Sequence, residues 1–159
     1  MKKSQCLLTA ALLLTALPSI AADTIKGKNY QSPSCGCCKD WVKHMNSHGF
    51  EIEMNMANNL HPIKQANGIQ PEYASCHTAI IQGYVFEGHV PAQDVQRFLK
   101  EKPANLKGLA VAGMPMGSPG MEYNDQKMPY DVVAFDEEGN TVIWASHHQT
   151  QTQTQTQTQ

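Results

Sequence analysis

Three cysteines lie within four consecutive residues of this 159-residue chain, in the segment Cys35-Gly36-Cys37-Cys38. A short predicted strand, residues 28–31, precedes them, and apolar residues at helical spacing follow them. The thiols therefore lie at the amino end of a helix, where unpaired N–H groups and the helix dipole favour thiolates. In an oxidising compartment, clustered thiols serve as disulfides, redox catalysts or metal ligands.

An export signal is predicted for residues 1–22. Lys2 and Lys3 form a basic start, residues 7–17 are apolar, and Ile20-Ala21-Ala22 offers a cleavage site of small residues. The apolar run is shorter than the about 20 residues that span a bilayer, and no later segment is apolar enough. We therefore expect an exported protein that is not inserted in the membrane after signal removal.

The mature chain divides into one domain and a tail. Residues 23–148 have the length of a single domain. Residues 149–159 are a Gln/Thr repeat with nothing apolar to bury, so we predict a disordered tail. Loss of Lys2 and Lys3 changes the net charge from −2 to −4. This balance argues against nucleic-acid binding, which depends on a basic surface.

Periodicity predicts an α/β fold with the element order of a thioredoxin-like domain. The predicted elements are strand 28–31, a helix from the cysteines to Gly49, strand 50–56, helix 60–67, strands 78–82 and 84–87, and helix 91–100. In thioredoxin-like folds the loop before the third strand faces the first helix and usually presents a cis-proline. Here that loop contains Cys76, which we therefore expect beside the other three thiols.

Two segments have no thioredoxin counterpart. Residues 113–121 are rich in Gly, Pro and Met, and residues 130–135 and 141–145 predict a hairpin that turns through residues 137–140. We therefore predict a thioredoxin-like α/β fold with an added Met-rich loop and a C-terminal β-hairpin.

The four mature cysteines permit two structural disulfides, as is common in exported proteins. Their spacing weakens this interpretation. A bridge between the adjacent Cys37 and Cys38 would be strained, and a Cys35–Cys38 bridge would close only one helical turn and give little loop-closure stabilisation.

The alternative is a metal site formed by Cys35, Cys37, Cys38 and Cys76. Zinc prefers four tetrahedral ligands, commonly from two separated C-x-x-C pairs, and adjacent cysteines do not easily share such an ion. Cu(I) is satisfied by two or three sulfurs, accepts thioethers as well as thiolates, and can be bridged by thiolates into a cluster. We therefore predict copper as the bound metal.

Met114, Met116 and His77 are weaker candidates for metal contact. The two methionines lie among Gly and Pro residues, where no core periodicity explains them. His77 follows Cys76 directly, and side chains of consecutive residues in an extended segment point in opposite directions.

The remaining histidines receive no ligand role. His44 and His48 lie on the polar face of the first helix, and we expect them to be solvated. His89 is expected to support the site from outside or to occupy a turn.

With these residues assembled, the chain resembles the CopG-type periplasmic copper-resistance proteins, thioredoxin-like domains of unknown function with a CGCC motif. The matching stretches are residues 35–42, 75–79, 83–91, 108–111 and 120–122. The resemblance implies a periplasmic protein of Gram-negative bacteria that binds copper through its cysteines and contributes to copper tolerance, with a change in the redox state of copper as one way in which it would do so. Those thiols correspond to Cys35, Cys37, Cys38 and Cys76. The Gln/Thr tail departs from the family pattern.

The leading hypothesis is a periplasmic copper-binding protein for copper resistance and homeostasis. Its cysteine thiolates would hold Cu(I), and redox activity of a multinuclear site stays open. One alternative is an enzyme, a thiol-disulfide oxidoreductase with Cys35 as nucleophile and Cys38 as resolving thiol. Another is a copper chaperone that delivers metal to an exporter or another periplasmic copper-handling protein. The sequence assigns no catalytic residue and no organic cofactor.

Overall fold

The computed structural model describes residues 24–149, which form a mixed α/β structure. The predicted signal, residues 1–22, and residues 150–159 of the predicted tail lie outside the described residues. Within the described part of the chain, no helix has the length and apolar character needed to cross a membrane.

The described residues form one sheet with three helices. In chain order the elements are β1 (Ile25–Gln31), α1 (Gly36–Ser47), β2 (Phe50–Met56), α2 (His61–Ala66), a 3-10 turn (Pro71–Tyr73), β3 (His77–Ile81), β4 (Tyr84–Glu87), α3 (Ala92–Glu101), β5 (Gly108–Ala110), β6 (Tyr130–Phe135) and β7 (Thr141–His147). The strands lie in the order β2-β1-β3-β4-β5-β6-β7. The pairs β1–β2 and β4–β5 are parallel, and the other neighbours are antiparallel. The α/β prediction is confirmed, and the elements up to α3 follow the predicted order.

Helix α1 places the cysteines because its apolar residues fix its orientation. Trp41, Val42 and Met45 recur at helical spacing and are buried in a core cluster with strand residues. The turn into β2 contains Gly49 at φ 85°, a left-handed conformation that glycine adopts without a steric penalty. Burial of one face of α1 therefore determines where its amino-terminal turn meets the sheet.

Both faces of the sheet are covered. Phe86 belongs to the larger core cluster, together with residues of α1 and α3. Its neighbour Val85 belongs to a smaller cluster with Tyr73 and Phe135. Because successive strand residues point to opposite faces, the two clusters lie on opposite sides of the sheet.

The short strand β5 is absent from the sequence-based prediction. It pairs with β4 on one side and β6 on the other, so it joins the predicted C-terminal hairpin to the rest of the sheet. Gly108 permits this pairing, since a Cβ atom there would lie 1.7 Å from the carbonyl oxygen of Val85. The hairpin, β6 and β7, is thus part of the central sheet.

Other boundaries differ by small amounts. β2 has the predicted bounds, whereas α2 covers His61–Ala66 rather than residues 60–67. The loop before β3 contains Cys76, and the peptide bonds within residues 24–149 include no cis form.

The expectation that His44 is solvated is wrong. Its Nε2 accepts a hydrogen bond of 3.1 Å from the backbone N–H of Ala92, the first residue of α3. The ring is therefore half-buried between the two helices. This burial lowers the pKa of His44, the neighbouring His48 lowers it further, and Glu122 opposes the shift.

We expect acid to weaken this contact between α1 and α3. Because the pKa of His44 is lower in the folded protein than its ordinary value of 6.5, its contribution to stability is complete above that value and is lost as the pH falls below it. His44→Gln keeps an acceptor that does not titrate. Between pH 7 and pH 5 the wild type should lose about 0.5 kcal/mol more of its unfolding free energy than this variant, a small effect because solvent screens a half-exposed ring. Urea unfolding at both pH values measures the difference, and parallel losses would contradict the prediction.

Candidate metal centre

The cysteines of the CGCC segment lie around the first turn of α1. Cys35 immediately precedes the helix, and its extended backbone, φ −74° and ψ 98°, leads the chain into the first turn. Cys35 and Cys38 are joined by a disulfide with a Cα–Cα distance of 5.4 Å. Cys37 and Cys76 are free thiols.

Cys76 reaches this helix from the loop before β3, as the sequence predicts. Its Sγ lies 3.5 Å from the Sγ of Cys38 and 3.9 Å from the Sγ of Cys37. The Sγ atoms of Cys37 and Cys35 are 3.5 Å apart. All four sulfurs lie within 4.8 Å of one another. The antiparallel pairing of β1 with β3 produces this convergence, because it brings the loop to the end of β1, just before α1.

The spacing argues against a stabilising Cys35–Cys38 bridge, yet the structure contains this bridge. A bridge across one helical turn adds little stability, but C-x-x-C pairs commonly form disulfides in redox motifs. The spacing therefore argues against a stabilising role and not against the bridge itself. The structure thus presents the oxidised form of the cysteine cluster. Two electrons and two protons convert the bridge to two further thiols.

His89 lies directly against the cysteine cluster, where the sequence predicts only a supporting or a turn residue. Its Nε2 lies 3.1 Å from the Sγ of Cys76, and its Nδ1 lies 2.8 Å from the carbonyl oxygen of Pro119. A carbonyl can only accept, so Nδ1 carries the proton and a neutral ring directs the lone pair of Nε2 towards the sulfur. Burial lowers the pKa of His89, which favours this neutral form. The available signal was its position just after β4, the strand paired with β3.

His77 lies nearer to Cys76 than alternation along a strand predicts. Its Nδ1 is 3.4 Å from the Sγ of Cys76, and its ring packs against Trp41 at 4.6 Å and edge-on against His89 at 5.0 Å. The ring is fully buried, and its Nε2 has no hydrogen-bond partner among the described residues. Burial lowers the pKa of His77 well below its ordinary value, and the adjacent His89 adds to this effect. Cys76, His77 and His89 therefore form a second donor group around the same sulfur.

The surroundings of Cys76 favour the protonated form of its thiol. Burial raises its pKa to about 12, and the neighbouring Cys37 contributes to the shift. A metal ion that binds Cys76 would have to displace this proton, so its binding would release a proton and would weaken in acid.

The weaker candidates Met114 and Met116 lie together at the surface. They line an open pocket of about 380 Å³ with Met121 and Met128. Met114 is 55% exposed and Met128 51% exposed, so these thioethers are available to a solute rather than used in the core. Met128 received no role from the sequence.

The Met-rich segment, residues 113–121, packs against the cysteine site. Gly120, at φ 83°, is so close to α1 that a Cβ atom there would lie 2.6 Å from the carbonyl oxygen of Cys37. The carbonyl of Pro119 holds the ring of His89. The hydroxyl of Ser75, next to Cys76, donates to the carbonyl of Gly113 at the start of the segment.

Comparison with known proteins adds the family to this geometry. The family model described as "Protein of unknown function, DUF411" matches residues 73–121, a span that includes Cys76, His89 and the Met-rich segment. No curated protein matches the chain. Two solved structures of the copper resistance protein copG, form 1 and form 2, each match with 37% sequence identity and a TM-score of 0.74. Each match covers 78% of this chain and 98% of the solved chain. The chain therefore belongs to the family of the copper resistance protein copG.

Proposed function

We propose that the protein is a periplasmic copper-binding protein that contributes to copper resistance and homeostasis. The observation that carries the proposal is the approach of the four cysteine sulfurs to within 4.8 Å of one another. The two copG structures support copper as the metal, since both belong to a copper resistance protein. Copper is here the cargo of the protein, held by thiolates.

The positions of the sulfurs fit a soft metal ion. Two sulfurs bound to one ion at about 2.3 Å each lie at most about 4.6 Å apart. The Sγ of Cys76 is 3.5 Å from that of Cys38 and 3.9 Å from that of Cys37, so only small shifts would be needed. Adjacent cysteines that both face a third sulfur suit Cu(I), which binds two or three sulfurs and allows a thiolate to bridge ions. A zinc ion would require four ligands in a tetrahedron, a geometry that adjacent cysteines do not easily supply to one ion.

His89 is suited to complete the donor set. Its Nε2 lone pair already faces Cys76, and the Pro119 carbonyl fixes the tautomer and the ring orientation. An imidazole held in this way accepts either oxidation state of copper, which supports a redox-active site.

Copper loading of all four cysteines requires reduction of the Cys35–Cys38 bridge. A dithiol reductant would attack Cys35, because Cys38 is fully buried and Cys35 is partly exposed. The first thiolate forms a mixed disulfide and releases Cys38, and the second thiolate of the reductant releases Cys35. The reductant leaves as a disulfide, and the protein gains two thiols.

We expect the reduced protein to bind more than one Cu(I) per chain and the disulfide form to bind fewer ions, because two of its four sulfurs are blocked. Anaerobic titration of both forms against a chromophoric Cu(I) competitor measures the difference, with zinc as the control metal. Equal binding of zinc, or equal copper binding by both forms, would contradict the four-cysteine site.

A thiol-disulfide oxidoreductase is the second candidate function. It is favoured by the Cys35–Cys38 bridge at the start of α1, which combines a partly exposed and a buried sulfur. This activity would survive the loss of Cys37 and Cys76, whereas the copper site would not. Reduction of insulin disulfides by the double Cys37→Ser/Cys76→Ser variant at the wild-type rate, without copper uptake by the wild type, would favour the enzyme.

A further inference from the structure

A buried carboxylate accepts hydrogen bonds from the chain on both sides of Cys76. Glu87, at the end of β4, is fully buried. Its Oε1 accepts a hydrogen bond of 2.6 Å from the backbone N–H of Ser75, and its Oε2 accepts one of 2.6 Å from the hydroxyl of Thr78. These two residues bracket Cys76 and His77.

The charge of this carboxylate is balanced by Lys64 of α2. The ammonium group of Lys64, whose side chain is 16% exposed, contacts Oε1 of Glu87 and donates to the Thr78 hydroxyl at 3.1 Å. Burial raises the pKa of Glu87, while Lys64 and the donated hydrogen bonds oppose this shift and favour the ionised form. Helix α2 has no buried residue, so this pair is its polar anchor to the sheet.

These hydrogen bonds matter because Cys76 is far from the other three cysteines in the sequence. α1 fixes the other three cysteines, whereas the position of Cys76 depends on the loop before β3. Without its acceptor, the partly buried N–H of Ser75 has no partner, and an unsatisfied buried donor destabilises the fold unless the chain moves. Movement of Ser75 displaces the Sγ of Cys76, which now lies 3.5 Å from Cys38 and 3.1 Å from the Nε2 of His89.

We propose that Glu87 is a positioning residue for Cys76, which acts by accepting the Ser75 N–H and the Thr78 O–H, and that Lys64 neutralises its charge. Two residues at or just after the end of β4 then contribute to the metal site. The side chain of Glu87 holds the loop that contains Cys76, and His89, two residues later, contacts the sulfur itself. This inference rests on the proposed copper function.

Two pairs of substitutions, each neutral at both positions, separate the role of Glu87 as hydrogen-bond acceptor from the role of its charge. Lys64→Met/Glu87→Gln keeps an oxygen that can accept the Ser75 N–H, whereas Lys64→Met/Glu87→Met offers none. Neither pair leaves a buried charge unpaired, so both should fold. Lys43→Met is the matched control, because it removes the lysine of an exposed ion pair with Asp40 on α1.

We expect the pair with Glu87→Gln to bind Cu(I) within about threefold of the wild type. The pair with Glu87→Met should bind about 10- to 100-fold more weakly, as is usual when a group that orients a metal ligand is lost. In the reduced, metal-free protein, alkylation of Cys76 relative to Cys37 should accelerate in this second pair only. A residue with a merely structural role would change the urea midpoint and leave the alkylation ratio unchanged.

Equal copper affinity and equal alkylation ratios in the two pairs would overturn the proposal. If the pair with Glu87→Met does not fold, Glu87→Asp decides, since it keeps the charge but withdraws the carboxylate by one methylene. It should accelerate Cys76 alkylation as well, and a wild-type ratio would overturn the proposal. A wild type that takes up no copper would refute the proposed function alone, because the alkylation ratio is measured without metal.

Discussion

Replacement of Cys76 by serine is expected to abolish multinuclear copper binding. Cys76 is the one cysteine of the cluster outside the CGCC segment, and its sulfur is the one that also meets the ring of His89, at 3.1 Å. A serine oxygen is a poor ligand for soft Cu(I). Four-ligand zinc sites bind with about 10–16 kcal/mol, or about 3 kcal/mol for each ligand. We therefore expect the affinity for any remaining copper to fall at least about 100-fold.

Anaerobic Cu(I) titration of the reduced Cys76→Ser variant beside the reduced wild type measures this loss. Met54→Leu is the control, because it removes a 46% exposed sulfur on β2. The Cys35–Cys38 bridge should still form in Cys76→Ser, which shows that α1 is intact. Unchanged copper stoichiometry in a folded Cys76→Ser variant would refute the four-cysteine site.

Replacement of Gly108 by valine should destabilise the fold by at least about 3 kcal/mol. A Cβ atom at Gly108 would lie 1.7 Å from the carbonyl oxygen and 2.7 Å from the carbonyl carbon of Val85. Both atoms belong to the backbone of β4, which cannot move without breaking the pairing of β4 with β5. Overpacking of this kind costs about 1–3 kcal/mol even where flexible side chains can yield, and here none can.

Urea unfolding of Gly108→Val in the disulfide form measures the loss of unfolding free energy. Gly36→Ala is the matched control, since a Cβ atom there has nothing within 4 Å. It should remain within about 1 kcal/mol of the wild type. Equal unfolding midpoints for the two variants would mean that β5 does not join the hairpin to the sheet.

The sequence predicts elements well where their periodicity is strong. β2 alternates over seven residues, and α1 shows Trp41, Val42 and Met45 on one face, so both were located from local spacing alone. Local spacing does not predict β5, because Gly108–Ala110 is too short to show a period. Its existence depends on hydrogen bonds that β4 and β6 offer from both sides.

The residues of the candidate site also differ in how well the sequence predicts them. The CGCC segment is conspicuous because clustered thiols are rare, and Cys76 follows from the element order. Glu87 could not be assigned to the site, and His89 could be given only a supporting or a turn role, because neither lies near a cysteine in the chain. The sequence also permits the Cys35–Cys38 bridge without requiring it.

The sequence by itself thus determined the chemistry available and the local elements that present it, namely thiols at the start of a helix and another in a facing loop. Only the tertiary structure decided that His89 meets the sulfur of Cys76 and that Glu87 holds the loop beside it. The physical reason is that spacing along a chain fixes side-chain direction within one element. Distances between elements depend on strand pairing and helix packing, which many weak contacts distributed over the whole fold determine together.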